Sequence, residues 1–99
     1  MPKGYIYAEV EVTDRALYEQ YRAQVPATIA AYGGRFLVRG GDPQRLEGDR
    51  AAARLVVLEF ESPQRASEWY HSKEYEPLKA MRMKAAKAHV FLLNGAEAT

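Results

Sequence analysis

Gly33-Gly34-Arg35-Phe36-Leu37-Val38-Arg39-Gly40-Gly41 is the stretch around which the rest of the chain is read. A glycine pair stands at each end of a short apolar run that carries two arginines. Adjacent glycines are costly in chain entropy and mark backbone that needs a positive φ or a close approach. The first pair follows a helix-like pattern and stops it. The run between is strand-like, with Phe36 and Val38 on one side and Arg35, Leu37 and Arg39 on the other. The second pair releases the chain into turn chemistry, Asp42-Pro43 and Glu47-Gly48-Asp49. Gly33 is expected as the left-handed residue just past the helix.

Upstream, Tyr5 to Val12 alternates. Ile6, Ala8, Val10 and Val12 share one face and Tyr5, Tyr7, Glu9 and Glu11 the other, which is a strand. Thr13 or Asp14 can cap the helix that follows. Leu17, Tyr21, Val25 and Ile29 recur at every fourth position as its apolar stripe, and Pro26 inside it predicts a kink. Downstream, Arg54 to Phe60 is a third strand with Val56, Leu58 and Phe60 on its apolar side. Ser62-Pro63 is a helix start, a serine cap before a proline at the first helical position. Ser72 offers a second cap, so the helical region is expected as two pieces broken near His71. Tyr75, Leu78, Arg82 and Ala85 share a face of the second piece. Ala88 to Leu93 is the last strand, and residues 96–99 form a polar tail.

The order is β-α-β-β-α-β. The expected fold is α+β and ferredoxin-like: a four-stranded antiparallel sheet with its helices on one face. The 99 residues suit one domain, 1–99. The other sheet face would carry Tyr5, Tyr7, Glu9, Arg35, Leu37, Arg39, Leu55, Val57, Glu59, His89, Phe91 and Leu93. It is too apolar to stand in water and too charged for a plain core. A second copy covering it, a homodimer through the open sheet face, is the economical answer.

Composition narrows the classes. Hydrophobic residues are 47% of the chain and charged residues 27%, so it can build a core and is not a disordered segment. The 14 basic and 13 acidic residues nearly cancel, which leaves no basic field for nucleic acid. Without cysteine, disulfides, thiolate metal sites and cysteine nucleophiles are excluded. No apolar run reaches the length of a membrane span, and the N-terminus enters a strand pattern directly. A cytoplasmic protein with no membrane partner is expected.

Several motifs together carry a resemblance. Ala-Tyr-Gly-Gly-Arg-Phe-Leu-Val-Arg-Gly-Gly (31–41), Leu-Glu-Gly-Asp (46–49), Arg-Leu-Val-Val-Leu-Glu-Phe (54–60) and Trp-Tyr-His-Ser-Lys-Glu-Tyr (69–75) look like a bacterial family of small proteins with no assigned function. That family belongs to the dimeric α+β barrel superfamily. The resemblance covers nearly the whole chain. It implies a ferredoxin-like protomer and two sheets packed face to face in a homodimer. The wider superfamily includes cofactor-free monooxygenases of polyketide quinones, lactone isomerases, haem-using enzymes and stress-response proteins, so it leaves the chemistry open.

The candidate site residues are Trp69, Tyr75, Arg82 and Arg39. Trp69 and Tyr75 offer rings with polar handles, suited to a flat organic molecule. Their spacing is similar to the pocket aromatics of the cofactor-free quinone monooxygenases. Arg82, two turns past Tyr75, could steady an oxyanion. Tyr75 and Arg82 are thus the candidate catalytic pair, Trp69 and Arg39 the candidate substrate-binding pair. The structural alternative is that the aromatics are core and Arg82 snorkels to water. Arg35 is better placed to pair with Glu59 across the sheet than to bind a ligand. His71 and His89 are the available bases near neutral pH, but no spacing supports a metal site. No glycine-rich phosphate loop or nucleophile elbow is present, and no cofactor is expected. Two function classes remain: a cofactor-free oxygenase or isomerase acting on a small aromatic or enolisable molecule, and a non-catalytic dimer that binds a small metabolite or is purely structural.

Overall fold

The computed structural model describes residues 2–51 and 53–96. Of the tail expected over 96–99, all but Ala96 lies outside the described residues. Strand β1 (Gly4–Val12) leads into helix α1 (Arg15–Ala31) and strand β2 (Arg35–Gly40). Strand β3 (Arg54–Phe60), helices α2 (Pro63–Tyr70) and α3 (Glu76–Ala85), and strand β4 (Ala86–Asn94) complete the chain. The strands form one antiparallel sheet in the order β2-β3-β1-β4. The helical region is in two pieces, broken after Tyr70 as expected, but α3 starts from Tyr75 rather than from Ser72, which closes the turn between the pieces. Strand β4 begins two residues earlier than the alternation suggested.

The element ends follow from local chemistry. Asp14 caps α1 by accepting the Leu17 N–H at 3.1 Å. At the other end Gly33 has φ +74°, with the Gly33 N–H on the Ala30 carbonyl and the Gly34 N–H on the Ile29 carbonyl. That pair of bonds is the Schellman stop, which satisfies two of the carbonyls a helix end leaves free. Gly34 is needed for another reason: a Cβ there would run into the Phe60 ring. Ser62 caps α2 by accepting the Arg65 N–H at 3.1 Å.

The buried core lies between one sheet face and the helices. Ile6, Ala8, Val10, Leu58 and Phe60 meet Tyr21, Val25, Ile29, Ala66, Trp69, Leu78 and Ala85. Burying an apolar side chain of this size contributes roughly 1.5–3 kcal/mol. On α1 the buried stripe is Tyr18, Tyr21, Val25 and Ile29, while Leu17 packs at its margin.

Strand β2 departs from simple alternation. Arg35 pairs with Glu59 and Phe36 with Leu58, but Val38 then pairs with Val57 and Arg39 with Val56. Two residues of β2 oppose one step of β3, so Leu37 is bulged out of the ladder. Everything after it changes sides. Val38 joins the open face, and Arg39 turns to the helix-covered face. This corrects the sequence reading of Arg39 as an open-face residue: period two cannot be carried through an inserted residue.

The open face is built in rows across the sheet. Arg35, Glu59, Tyr5 and Leu93 make one row, and Val38, Val57, Tyr7 and Phe91 the next. Gly40, Leu55, Glu9 and His89 make the third. Phe91, Leu93, Val38 and Leu37 are exposed on the chain by itself.

Candidate functional site

A cavity of about 50 Å³ lies under the helices, against the covered face of the sheet. It has room for a few water-sized groups. Ile6, Ala8, Val10, Val56, Leu58 and Trp69 give it an apolar wall. Its polar members are four tyrosines, Tyr18, Tyr21, Tyr70 and Tyr75, and four arginines, Arg22, Arg39, Arg54 and Arg82. Among the described residues no carboxylate lines it.

On the α3 side, the break between α2 and α3 fixes the aromatics. The Ser72 hydroxyl donates to the Trp69 carbonyl at 2.8 Å and accepts the Tyr75 N–H at 3.1 Å. That clamp sets the Trp69 and Tyr75 rings together, 4.1 Å between centroids. Trp69 Nε1 donates to Thr28 Oγ1 at 3.1 Å, and Thr28 donates on to the Val25 carbonyl at 2.8 Å. The indole is therefore wall and core at once, with its polar edge tied to α1.

The Tyr75 hydroxyl stands 2.8 Å from that of Tyr21 and accepts from Arg82 Nε at 3.3 Å. Arg82 is 6% exposed, so it does not snorkel to water as the structural alternative supposed. Burial, reinforced by the neighbouring Tyr75, pushes the Tyr21 phenol far above its ordinary range. Tyr21 therefore stays neutral and keeps a proton to donate. The three side chains place a fixed cation and phenol donors against an apolar wall, an arrangement that suits a developing oxyanion.

On the β2 side, the bulge at Leu37 delivers Arg39. Its guanidinium lies over the Phe36 ring, 4.4 Å from the centroid, and donates from Nη2 to the Arg22 carbonyl at 2.6 Å. That carbonyl is free because Pro26, four residues on, has no N–H to give it. The carbonyl left free by the proline inside α1 is thus satisfied from β2. Burial, then the charges of Arg22 and Arg54, lower the affinity of Arg39 for its proton.

All four residues singled out from the sequence line this one cavity: Trp69, Tyr75, Arg82 and Arg39. Sequence reasoning missed Tyr21 as a polar partner, and it missed Arg22 and Arg54 altogether. The signal was present. Arg54 has the same parity as Val56, Leu58 and Phe60, and Arg22 sits at helical spacing from Tyr18, Val25 and Ile29. The histidines lie elsewhere. His71 is exposed, with Nδ1 3.0 Å from the Ser67 carbonyl, and His89 is on the open face beside a shallower hollow of about 410 Å³. Arg35 makes the cross-strand pair with Glu59, 2.9 Å from both Nε and Nη2. Among the described residues no group of three metal-ligating side chains is assembled, and no helix is long and apolar enough to cross a membrane.

The sequence profile of a domain of unknown function, DUF1330, matches residues 3–96. The chain belongs to the DUF1330 family. None of the curated proteins matches it. Solved structures share the DUF1330 fold seen in this chain. RPA0582, a protein of unknown function from Rhodopseudomonas palustris, superposes with a TM-score of 0.76 at 15% identity, over 98% of this chain and 85% of that one. SnoaB, a cofactor-independent oxygenase from Streptomyces nogalater, superposes with a TM-score of 0.65 at 13% identity, over 99% and 97%. At such identities the likeness is one of fold, the dimeric α+β barrel fold in its ferredoxin-like form.

Proposed function

We propose that the cavity takes a small planar molecule, aromatic or enolisable, and that the protein acts on it without a cofactor, as an oxygenase or isomerase. Tyr75 and Arg82 are the catalytic residues of this reading, and Trp69 and Arg39 bind the substrate. The working form is a homodimer closed over the open sheet face, in the cytoplasm. One observation carries the reading: a buried, hydrogen-bonded Tyr21–Tyr75–Arg82 chain ends on an apolar cavity. Catalysis of this class needs an enolate or phenolate oxygen held by preorganised donors, each worth roughly 3–4 kcal/mol of transition-state stabilisation. The carrying feature is that donor chain, and the fold shared with a cofactor-independent oxygenase adds nothing to it.

A second reading has its own support. No histidine or carboxylate lines the cavity among the described residues, so no side chain there is suited to accept a proton near neutral pH. That favours a non-catalytic dimer that binds a small metabolite. The two readings separate in one series. Phenols, quinols and 1,3-diketones are screened by thermal shift, since a ligand of the native state raises its melting temperature. Binders are then assayed for oxygen uptake and for exchange of their acidic C–H protons with deuterium. Turnover lost in Tyr75→Phe and Arg82→Met supports the enzyme. Binding without turnover supports the metabolite binder, and a panel with no binder removes both and leaves a structural dimer.

A further inference from the structure

The cavity holds an imbalance of charge that the protein does not correct. Arg22, Arg39, Arg54 and Arg82 line it and no carboxylate does, among the described residues. Arg22 Nε and Arg54 Nε are buried without a hydrogen-bond partner there. The carboxylate of Glu19 reaches Arg22 Nη1 at 3.7 Å, but both side chains are about half exposed, so that contact is made on the solvent side. The Arg54 guanidinium lies 5.5 Å from the Tyr18 ring centroid, which gives it an aromatic face and no counter-charge. Arg22, Arg39 and Arg54 are partly buried, and it is the two enclosed Nε–H donors that cost stability unless something accepts from them.

The backbone is shaped to hold this arrangement. Gly40 has φ +82°, and a Cβ there would lie 2.9 Å from Arg54 Cζ. Only glycine combines that conformation with room for the guanidinium. The Leu37 bulge turns Arg39 inward beside it, and Pro26 frees the carbonyl that orients Arg39. Three separate departures from regular structure thus converge on one set of cations. Two unpartnered Nε–H donors beside the Arg39 cation match a carboxylate, which accepts two N–H bonds.

We propose that Arg22, Arg39 and Arg54 form an anion-recognition site at this cavity, and that its ligand is a small planar organic acid bound through its carboxylate. The inference rests on the small-molecule reading above and sharpens it. The carboxylate faces the three arginines, and the flat body lies against the apolar wall formed by Trp69 and its neighbours. A ligand of this kind brings its own negative charge, which fits a cavity that offers no base.

The test uses matched probes. Benzoate and benzamide share a shape and differ in charge, pyruvate is a smaller planar acid, and inorganic phosphate is an anion without an organic body. Melting temperatures are measured at constant ionic strength for the native protein, Arg39→Met and Arg54→Met. Benzoate or pyruvate is expected to raise the native melting temperature, benzamide and phosphate to leave it in place. Each methionine variant is expected to weaken carboxylate binding by about tenfold or more, as loss of a charge-assisted pair does. Without ligand, Arg54→Met is expected to melt no lower than the native chain, because it removes an uncompensated cation and keeps the stem. Arg50→Met, on the open face, is the control for charge alone and keeps carboxylate binding. If benzamide stabilises as well as benzoate, the anion site is overturned and the small-molecule reading stands. If phosphate equals benzoate, the organic-acid assignment is overturned. If no carbon-containing probe binds, the organic-acid assignment is overturned, and the small-molecule reading is decided separately by the panel of phenols, quinols and 1,3-diketones. Should Arg39→Met fail to fold, Arg54→Met and an isotope-edited NMR titration of the arginine Nε–H signals decide the matter: unmoved Arg22 and Arg54 signals on adding benzoate overturn the site.

Discussion

The two faces of the sheet treat charge in opposite ways. On the open face two carboxylates are matched: Glu59 holds Arg35 and the Tyr5 hydroxyl, and Glu9 meets Arg50 and the Tyr7 hydroxyl. On the covered face four guanidiniums line a cavity that no carboxylate among the described residues lines, and Arg22 meets Glu19 only on the solvent side. Exposed pairs contribute little, whereas buried donors left without a partner, as Arg22 Nε and Arg54 Nε are, cost more. On the homodimer proposed above, the open face meets a second copy with its Glu59 and Glu9 charges already matched. On the anion site proposed above, the covered face takes its missing negative charge from a ligand.

The comparison can be broken most sharply at its aromatic anchors. Trp69→Ala removes a fully enclosed ring and its bond to Thr28, and is expected to cost about 3–5 kcal/mol in chemical denaturation. Phe91→Ala, on a ring half exposed in the lone protomer, is expected to cost far less once dilution has separated the copies. Equal losses would mean that the open face carries a core of its own.

Next in size are Tyr75→Phe and Arg82→Met. Tyr75→Phe strands the Tyr21 hydroxyl and Arg82 Nε, for roughly 1–3 kcal/mol. Melting temperature and ligand affinity are then compared for both variants. Stability lost with binding and turnover intact would make the cluster plain core.

The dimer is tested by light scattering over a dilution series. The native mass is expected to stay that of two chains at micromolar concentration. Phe91→Glu, in the apolar central row, is expected to weaken self-association by about tenfold or more, some 1.4 kcal/mol. A native chain that is monomeric throughout removes the partner sheet.

The smallest effects are in pH. Hydrogen bonding from Arg35 holds the Glu59 carboxyl below its ordinary value. Its contribution is present above the unfolded glutamate value and is lost as pH falls through the depressed folded one. Glu59→Gln is expected to flatten the acid limb of a melting-temperature profile. Tyr21 runs the other way. With its phenol raised by burial, its contribution is complete below about pH 10, the unfolded phenol value, and is lost as pH climbs beyond it. Tyr5 and Tyr7, raised by their bonds to Glu59 and Glu9, add to that alkaline limb. Tyr21→Phe is expected to remove only part of it, and a profile unchanged by the substitution would contradict the burial of its hydroxyl.

Much of this architecture was legible in residue order. Gly33, Asp14 and Ser62 fix helix ends, and Ser72 the turn between α2 and α3, through chemistry that acts within a few residues, and such chemistry survives in sequence. The Arg35–Glu59 pair followed from aligning two apolar faces. The cavity was harder to read. Arg22, Arg54 and Arg82 each occupy a position where the periodicity of the element calls for an apolar side chain. Three charges at core positions were the sign, and it was recognised only at Arg82. Arg39 was hidden more deeply, because its side depends on whether Leu37 sits in the ladder. That choice is made by β3, not by any neighbour in the chain. The link from Pro26 to Arg39 likewise joins two elements that only the fold brings together.

The Leu37 bulge also governs how this sheet can grow. Strands β2 and β4 are its two edges. An edge recruits another strand through an unbroken row of free N–H and C=O groups. On β2 that row is interrupted at its third residue and twisted by the extra one. On β4 the ladder to β1 runs without a shift from Gly4–Asn94 to Val12–Ala86, so the outer side is regular too, and it carries the exposed Phe91, Leu92 and Leu93. A stray strand in a crowded refolding mixture has one landing edge, not two. Chains that associate wrongly will do so through β4, while the edge that presents Arg39 to the cavity stays clear.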